Sequence, residues 1–198
     1  SRSARTIAEE IESVGGDLNA ATGLEHTAYY ARVLKDDEGT ALAILADILL
    51  NSSFSEDELA REREVILQEI AMIQDSPDEI AYDLINEAAY PEQPAGRPII
   101  GTPASVRSIT PADLRTFLTA RYVPEDMVVS AAGAVSHDRI VRHVEALFGG
   151  LTRRTRLGEI PARYHGGTRI SKRSFEQSHL LWAIEGPSYR DAETYTAQ

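Results

Sequence analysis

The chain has 198 residues, 42% of them hydrophobic and 26% charged, which suffices to bury the core of one domain, or of one domain and part of another. Twenty Lys and Arg against 31 Asp and Glu leave a formal net charge of −11 without a basic block, which argues against nucleic acid and anionic membranes as partners and favours a basic ligand. With no cysteine there are no disulfides or thiolate metal sites, and no apolar run approaches the length of a membrane span.

In chain order, residues 3–14 read as an amphipathic helix with Ile7, Ile11 and Val14 on one stripe, stopped by Gly15 and Gly16. Residues 17–22 and 26–34 then predict two strands of an antiparallel hairpin turning at Gly23-Leu24-Glu25. Asn19-Ala20-Ala21 is small and polar for a strand interior, which suits an edge that another backbone approaches. Residues 36–50 predict a helix with Leu42, Leu45 and Leu49 inward.

Residues 55–74 (SEDELAREREVILQEIAMIQ) predict a helix of about five turns, with Ser55 as N-cap and Glu58 completing a capping box. Leu59, Ile66, Ile70 and Ile73 form its apolar stripe. Glu62 and Glu69, seven residues apart, lie nearly above one another at the edge of that stripe. A carboxylate there is costly to desolvate unless it is paired or holds a metal. On this helix alone a solvated or arginine-paired face is the commoner explanation, because charged helices mostly form solvated faces.

A further helix starts at Ser76-Pro77 and runs to about residue 89, with Glu79 closing a capping box and sharing a face with Asp83. Residues 90–108, with four prolines and two glycines, read as a long loop. Thr110 caps a helix to about residue 122, residues 127–135 (MVVSAAGAV) read as a buried strand, and Ser136 caps a helix stopped by Gly149-Gly150. Residues 151–167 are polar and arginine-rich, as in a linker; strand-like sequence resumes over 168–185, and a helix begins over 191–198. The expected organisation is one unit over 1–150, a linker over 151–167 and the start of a second unit over 168–198.

Taken together, VGGDLNAATGLEHTAYYARVL (14–34), SEDELAREREVILQEI (55–70), YPEQPAGRPIIGT (90–102) and SITPADLRTFLTARYVPEDMVVSAAGAV (108–135) resemble the insulinase/pitrilysin family of zinc endopeptidases, the inverzincins. The likeness is to the branch that holds the mitochondrial processing peptidase β-subunit and its bacterial relatives, and it covers essentially the whole chain.

The resemblance implies a truncated α+β fold of the LuxS/processing-peptidase type, a mostly antiparallel sheet with helices packed on one face, repeated to form a clamshell. It implies Zn2+ in the intact enzyme, held by His-x-x-Glu-His on one helix and a glutamate on a later one. Glu69 matches that later glutamate and Glu62 a supporting carboxylate. In such an enzyme zinc lowers the pKa of a bound water and polarises the scissile carbonyl. Asn19 and Ala20 match the edge strand that pairs with substrate backbone. Glu79 and Asp83 match an acidic pair that reads an arginine, although capping explains Glu79 equally well.

The departure lies in the motif. None of His26, His137, His143, His165 and His179 falls in His-x-x-Glu-His, and family spacing sets that motif upstream of Ser1. The expectation is therefore a fragment of a zinc metalloendopeptidase, itself inactive and not binding zinc tightly. Its partners would be a peptide or unfolded polypeptide, with arginine preferred, and a second homologous half or subunit. The alternative is a non-catalytic family member that serves as a partner subunit or scaffold. Arginine-rich, lysine-poor composition suggests a bacterial cytoplasmic protein, with periplasm and organellar matrix as alternatives.

Overall fold

The structure is a computed structural model and describes residues 2–154, 158, 160–188 and 190–197. It divides into two compact units, Ser1–Ala60 with Ile109–Gly158, and Arg61–Ser108 with Glu159–Gln198.

In the first unit, α1 (Ala4–Ser13) starts where Ser3 accepts a hydrogen bond from the Thr6 N–H, and ends at Gly15, whose φ of +63° favours glycine. The strands β1 (Asp17–Thr22) and β2 (Thr27–Arg32) pair antiparallel, with Asn19 opposite Tyr30 and Ala20 opposite Tyr29. A helical turn at Lys35–Asp37 leads into α2 (Glu38–Leu50). The core is Ile11, Ala41 and Ile44, with Leu18, Ala31 and Val33 of the hairpin segment packed against it. Period 2 therefore puts the even residues of β1 on the helix side and the odd ones, Asn19 among them, on the opposite face.

The inward residues of α2 differ from the expected leucines. Ala41, Ile44 and Ala46 are buried, while Leu42, Leu45 and Leu49 are only partly so. The helix is apolar nearly all round, so sequence does not single out the stripe, and the small Ala41 allows close approach. The same unit holds α6 (Pro111–Arg121), opened by a reciprocal Thr110–Asp113 capping box, and α7 (His137–Phe148), which ends at Gly149. Ser136 makes no side-chain cap there, contrary to expectation. Arg139 of α7 lies against the carboxylate of Glu38, a charge buried at the start of α2.

Residues 127–135 form no strand and bend at 133–134, where Gly133 has a φ of +120°, and Val128 is 93% exposed. The expected buried strand is thus absent, because no described segment runs beside this one to complete a ladder.

The helix α3 (Glu56–Gln74) lies in the second unit from Arg61 onward and contributes Ile70 as its buried residue, with Ile66 and Ile73 half-buried. The Ser55 hydroxyl accepts from the Glu58 N–H as expected. Next comes α4 (Pro77–Ala89), burying Ile80, Ala88 and Ala89. Residues 90–108 are less loop-like than predicted: α5 (Pro103–Ser108) forms because Thr102 and Ser105 each accept the other's backbone N–H, a start signal that a proline-rich stretch hides.

The described part of 160–188 has no strands, contrary to expectation; the His165 N–H donates to the Ala89 carbonyl at the end of α4 at 2.8 Å, and side chains make the other ties. Gln93 donates to the Arg163 carbonyl and accepts from its N–H, both at 2.8 Å, and Arg173 donates to the Gln74 carbonyl that ends α3. A short α8 (Thr194–Ala197) follows. Among the described residues, no helix is long and apolar enough to cross a membrane.

Candidate active site

On α3, Glu62 and Glu69 stand two turns apart on one side of the helix, as the spacing requires. At about 100° per residue they fall roughly 50–70° round the axis from the centre of the stripe that buries Ile70. That position carries both into the exposed class, so neither meets the desolvation cost expected from the sequence. The reason is geometric, because the half-buried stripe is narrow and its flanks reach water. Neither carboxylate has a hydrogen bond or ion pair to a described residue. They are solvated and uncommitted rather than paired.

On α4, Glu79 is exposed and Asp83 half-buried, one turn apart. Burial, and then the adjacent Glu79 charge, push the Asp83 carboxyl above its ordinary value of 3.8. The capping box expected at this helix start does not form. The Ser76 hydroxyl donates to Asp78 at 2.6 Å, a charge-assisted bond that outcompetes a backbone cap, and Glu79 is left without that role. The same bond draws the Asp78 carboxyl below its usual range.

A groove of about 770 Å³ runs beside α4, lined by Ile80, Leu84 and Ala88 and by Arg173, Phe175 and Leu181 of the extended segment. Neither Glu79 nor Asp83 lines it, so the acidic pair and the apolar groove are separate features.

Asn19 and Ala20 belong to the first unit, on the exposed part of β1. Among the described residues β1 pairs with β2 alone, so its other edge is open, as the small polar residues suggested. Behind β2, the Tyr29 hydroxyl meets that of Tyr122 at 2.9 Å, and the ring of Phe117 sits edge-on to Tyr122. Burial, then the Tyr122 hydroxyl, raise the Tyr29 pKa. Nothing in the sequence signals this pair. Tyr122 lies 93 residues from Tyr29, beyond the reach of any local pattern. Of the histidines, His143 is half-buried against Gly39 and His137 is exposed at the start of α7.

A catalytic zinc takes three protein ligands and an open position. Among the described residues no three His, Cys, Asp or Glu side chains gather as a metal site. The described donors therefore do not gather round one point where zinc could sit.

The family pattern of insulinase (peptidase family M16) matches residues 1–103, and that of the peptidase M16 inactive domain matches residues 108–198. The chain belongs to the insulinase family, M16. Among its M16 relatives, an uncharacterized zinc protease of Rickettsia bellii is 42% identical over 192 residues, covering 97% of this chain and 47% of that protein. A probable mitochondrial-processing peptidase subunit beta of Arabidopsis thaliana is 38% identical over 199 residues, covering 98% of this chain and 38% of that protein. The chain thus spans about half or less of the length of these relatives.

Among solved structures, a putative M16-like peptidase from Alicyclobacillus acidocaldarius superposes with a TM-score of 0.69 at 27% identity, over 83% of this chain and 38% of that one. A peptidase M16 inactive domain from Pseudomonas fluorescens reaches 0.75 at 21% identity, over 82% and 40%, a likeness of fold alone. The M16 fold is α+β, as expected, and zinc is named in the family's proteases.

Proposed function

We propose that this M16 chain is part of a zinc-dependent metalloendopeptidase that hydrolyses peptides or presequence-like segments within a chamber built from two homologous halves. The observation that carries the reading is membership of M16, with relatives named zinc proteases; Glu62 and Glu69, exposed and in line on one side of α3, are compatible with it. A solvated carboxylate without a partner is available to a cation brought by another segment. Glu69 is the metal ligand and Glu62 its supporting carboxylate, with the remaining donors coming from outside these 198 residues. The chain alone then holds no zinc tightly and cleaves nothing. Residues 1–150 serve as part of the first α+β unit, 151–167 as a linker and 168–198 as the start of the second.

The other residues act on the substrate. Glu79 and Asp83 take a guanidinium, whose charge offsets the burial, and then the Glu79 repulsion, that hold the Asp83 carboxyl up. The loss of a capping role for Glu79 supports this reading over the structural one. The open edge of β1 at Asn19 and Ala20 receives an extended peptide backbone. A bacterial cytoplasmic setting accords with the bacterial zinc proteases among the relatives.

A second reading, a non-catalytic partner subunit or scaffold, draws support from the lack of a three-donor cluster among the described residues. Zinc content and peptide cleavage, measured in a protein of the relatives' full length that contains this sequence, separate the two. Bound zinc and cleavage, both lost in Glu69→Gln, are expected for the enzyme; neither in the unmodified protein would favour the scaffold.

A further inference from the structure

The register of the hairpin fixes which backbone groups of β1 face its open edge. The Gly23 N–H donates to the His26 carbonyl at 2.8 Å, and Gly23 and His26 stand opposite one another in the pairing that runs on to Asp17 and Arg32. Antiparallel pairs alternate between bonded and non-bonded. Residues 17, 19, 21 and 23 therefore bond to β2, while Leu18, Ala20 and Thr22 turn their N–H and C=O groups outward. An incoming strand would need those outward groups. One of them is already taken, because the Ala20 N–H donates to Oδ1 of Asn19 at 2.8 Å. Asn19 points to the sheet face away from the core, opposite Tyr30, so nothing in the core holds its carboxamide there.

We infer that Asn19 is a latch on this edge: its carboxamide occupies the Ala20 N–H while the edge is empty and swings aside when an extended peptide pairs with β1. This deepens the edge-strand reading given under Proposed function and rests on it for the pairing step. The physical case is competition for one donor. An exposed strand edge with free N–H groups invites pairing with any other chain, and a side chain that satisfies the central donor blunts it without a proline or a charge. Because the bond is exposed, its net worth is small, and the peptide's own carbonyl displaces it at modest cost. The latch thereby sets affinity: it subtracts from peptide binding and adds to the solubility of the empty edge.

The test uses amide hydrogen exchange by NMR on the 198-residue chain. The Ala20 amide is expected to exchange roughly two- to tenfold more slowly than the other outward amides, Leu18 and Thr22, after correction for intrinsic rates. Asn19→Ala should abolish that difference and leave the inward amides of Asn19 and Ala21 protected, which also shows that the hairpin is intact. Asn19→Asp, which keeps an oxygen at the same place, should restore it. An Ala20 amide as fast as its two neighbours in the unmodified chain, or one still slow in Asn19→Ala, overturns the latch.

The second arm titrates a 15-residue arginine-containing peptide. Shifts at Leu18, Ala20 and Thr22, with roughly two- to tenfold tighter binding to Asn19→Ala than to the unmodified chain, support the release step. Equal affinity overturns that step. No shift at these three amides in either protein overturns the edge-strand reading itself, while leaving the exchange result on the cap standing.

Discussion

In the first unit, Ile44 exposes none of its surface, and the hairpin closes on α1 and α2 through Leu18, Ala31 and Val33. In the second, the segment from Arg163 to Arg173 is fastened by exposed side-chain hydrogen bonds of Gln93, Arg169 and Arg173 and by the His165 N–H donating to the Ala89 carbonyl, while Ile170 stands 77% exposed. Burial is non-directional and adds up over many contacts, about 1.5–3 kcal/mol for one large aliphatic side chain. A solvated hydrogen bond is directional and contributes only about 1 kcal/mol net. The two regions therefore fail differently: the packed one cooperatively, the laced one bond by bond. The residues proposed for function follow the same division, with an edge strand on a packed base and carboxylates on helices whose exposed faces remain open to ligands.

The largest break in this contrast comes from Ile44→Ala. Truncating a fully buried isoleucine should cost about 2–5 kcal/mol. Urea unfolding should show it as a lower midpoint with an unchanged slope, and exchange should rise throughout the hairpin. Next is Gln93→Ala, which removes both bonds to Arg163 and should lower local stability by about 1–3 kcal/mol. The Arg163 amide should lose protection while the midpoint of the first unit holds. A global loss would show that the second region is packed rather than laced.

Smaller again is Tyr122→Phe, expected to cost about 1 kcal/mol. Ultraviolet titration should show the Tyr29 ionisation falling back toward its ordinary range, although burial, the larger cause, keeps it elevated.

The smallest effect is Asp83→Asn, and it sharpens the picture through its pH dependence. Burial and Glu79 hold the folded Asp83 carboxyl above 3.8, so its ionised form is the disfavoured one in the folded chain. Well below pH 3.8 the group is protonated whether folded or not and costs nothing. As pH rises from 3.8 through the raised value, the unfolded chain ionises first and stability falls. The variant should thus be modestly more stable at neutral pH, with the advantage vanishing in acid; an advantage growing toward low pH would reverse the assignment.

Much of this was legible in the sequence. Ser55, Thr110, Gly15 and Gly149 mark helix ends through local chemistry, and the hairpin follows from alternation and a short turn. The face shared by Glu62 and Glu69 follows from helical period alone. What local pattern could not supply was competition and distance. Asp78 takes the Ser76 hydroxyl that a backbone cap would have used. MVVSAAGAV has every property of a strand except a neighbour. Tyr122 reaches Tyr29 and Gln93 reaches Arg163 across long separations with no signature in either segment. The exposure of Glu62 and Glu69 was likewise hidden, because a position flanking a stripe faces core or water according to how wide the covering layer is.

Metal content decides whether Glu69 is the zinc ligand proposed for it. In a protein of the relatives' full length that contains this sequence, dialysed and measured by atomic emission, the account predicts stoichiometric zinc in the unmodified form. It predicts loss of that zinc in Glu69→Gln with the circular dichroism spectrum unchanged. Zinc retained at full stoichiometry in Glu69→Gln would contradict it.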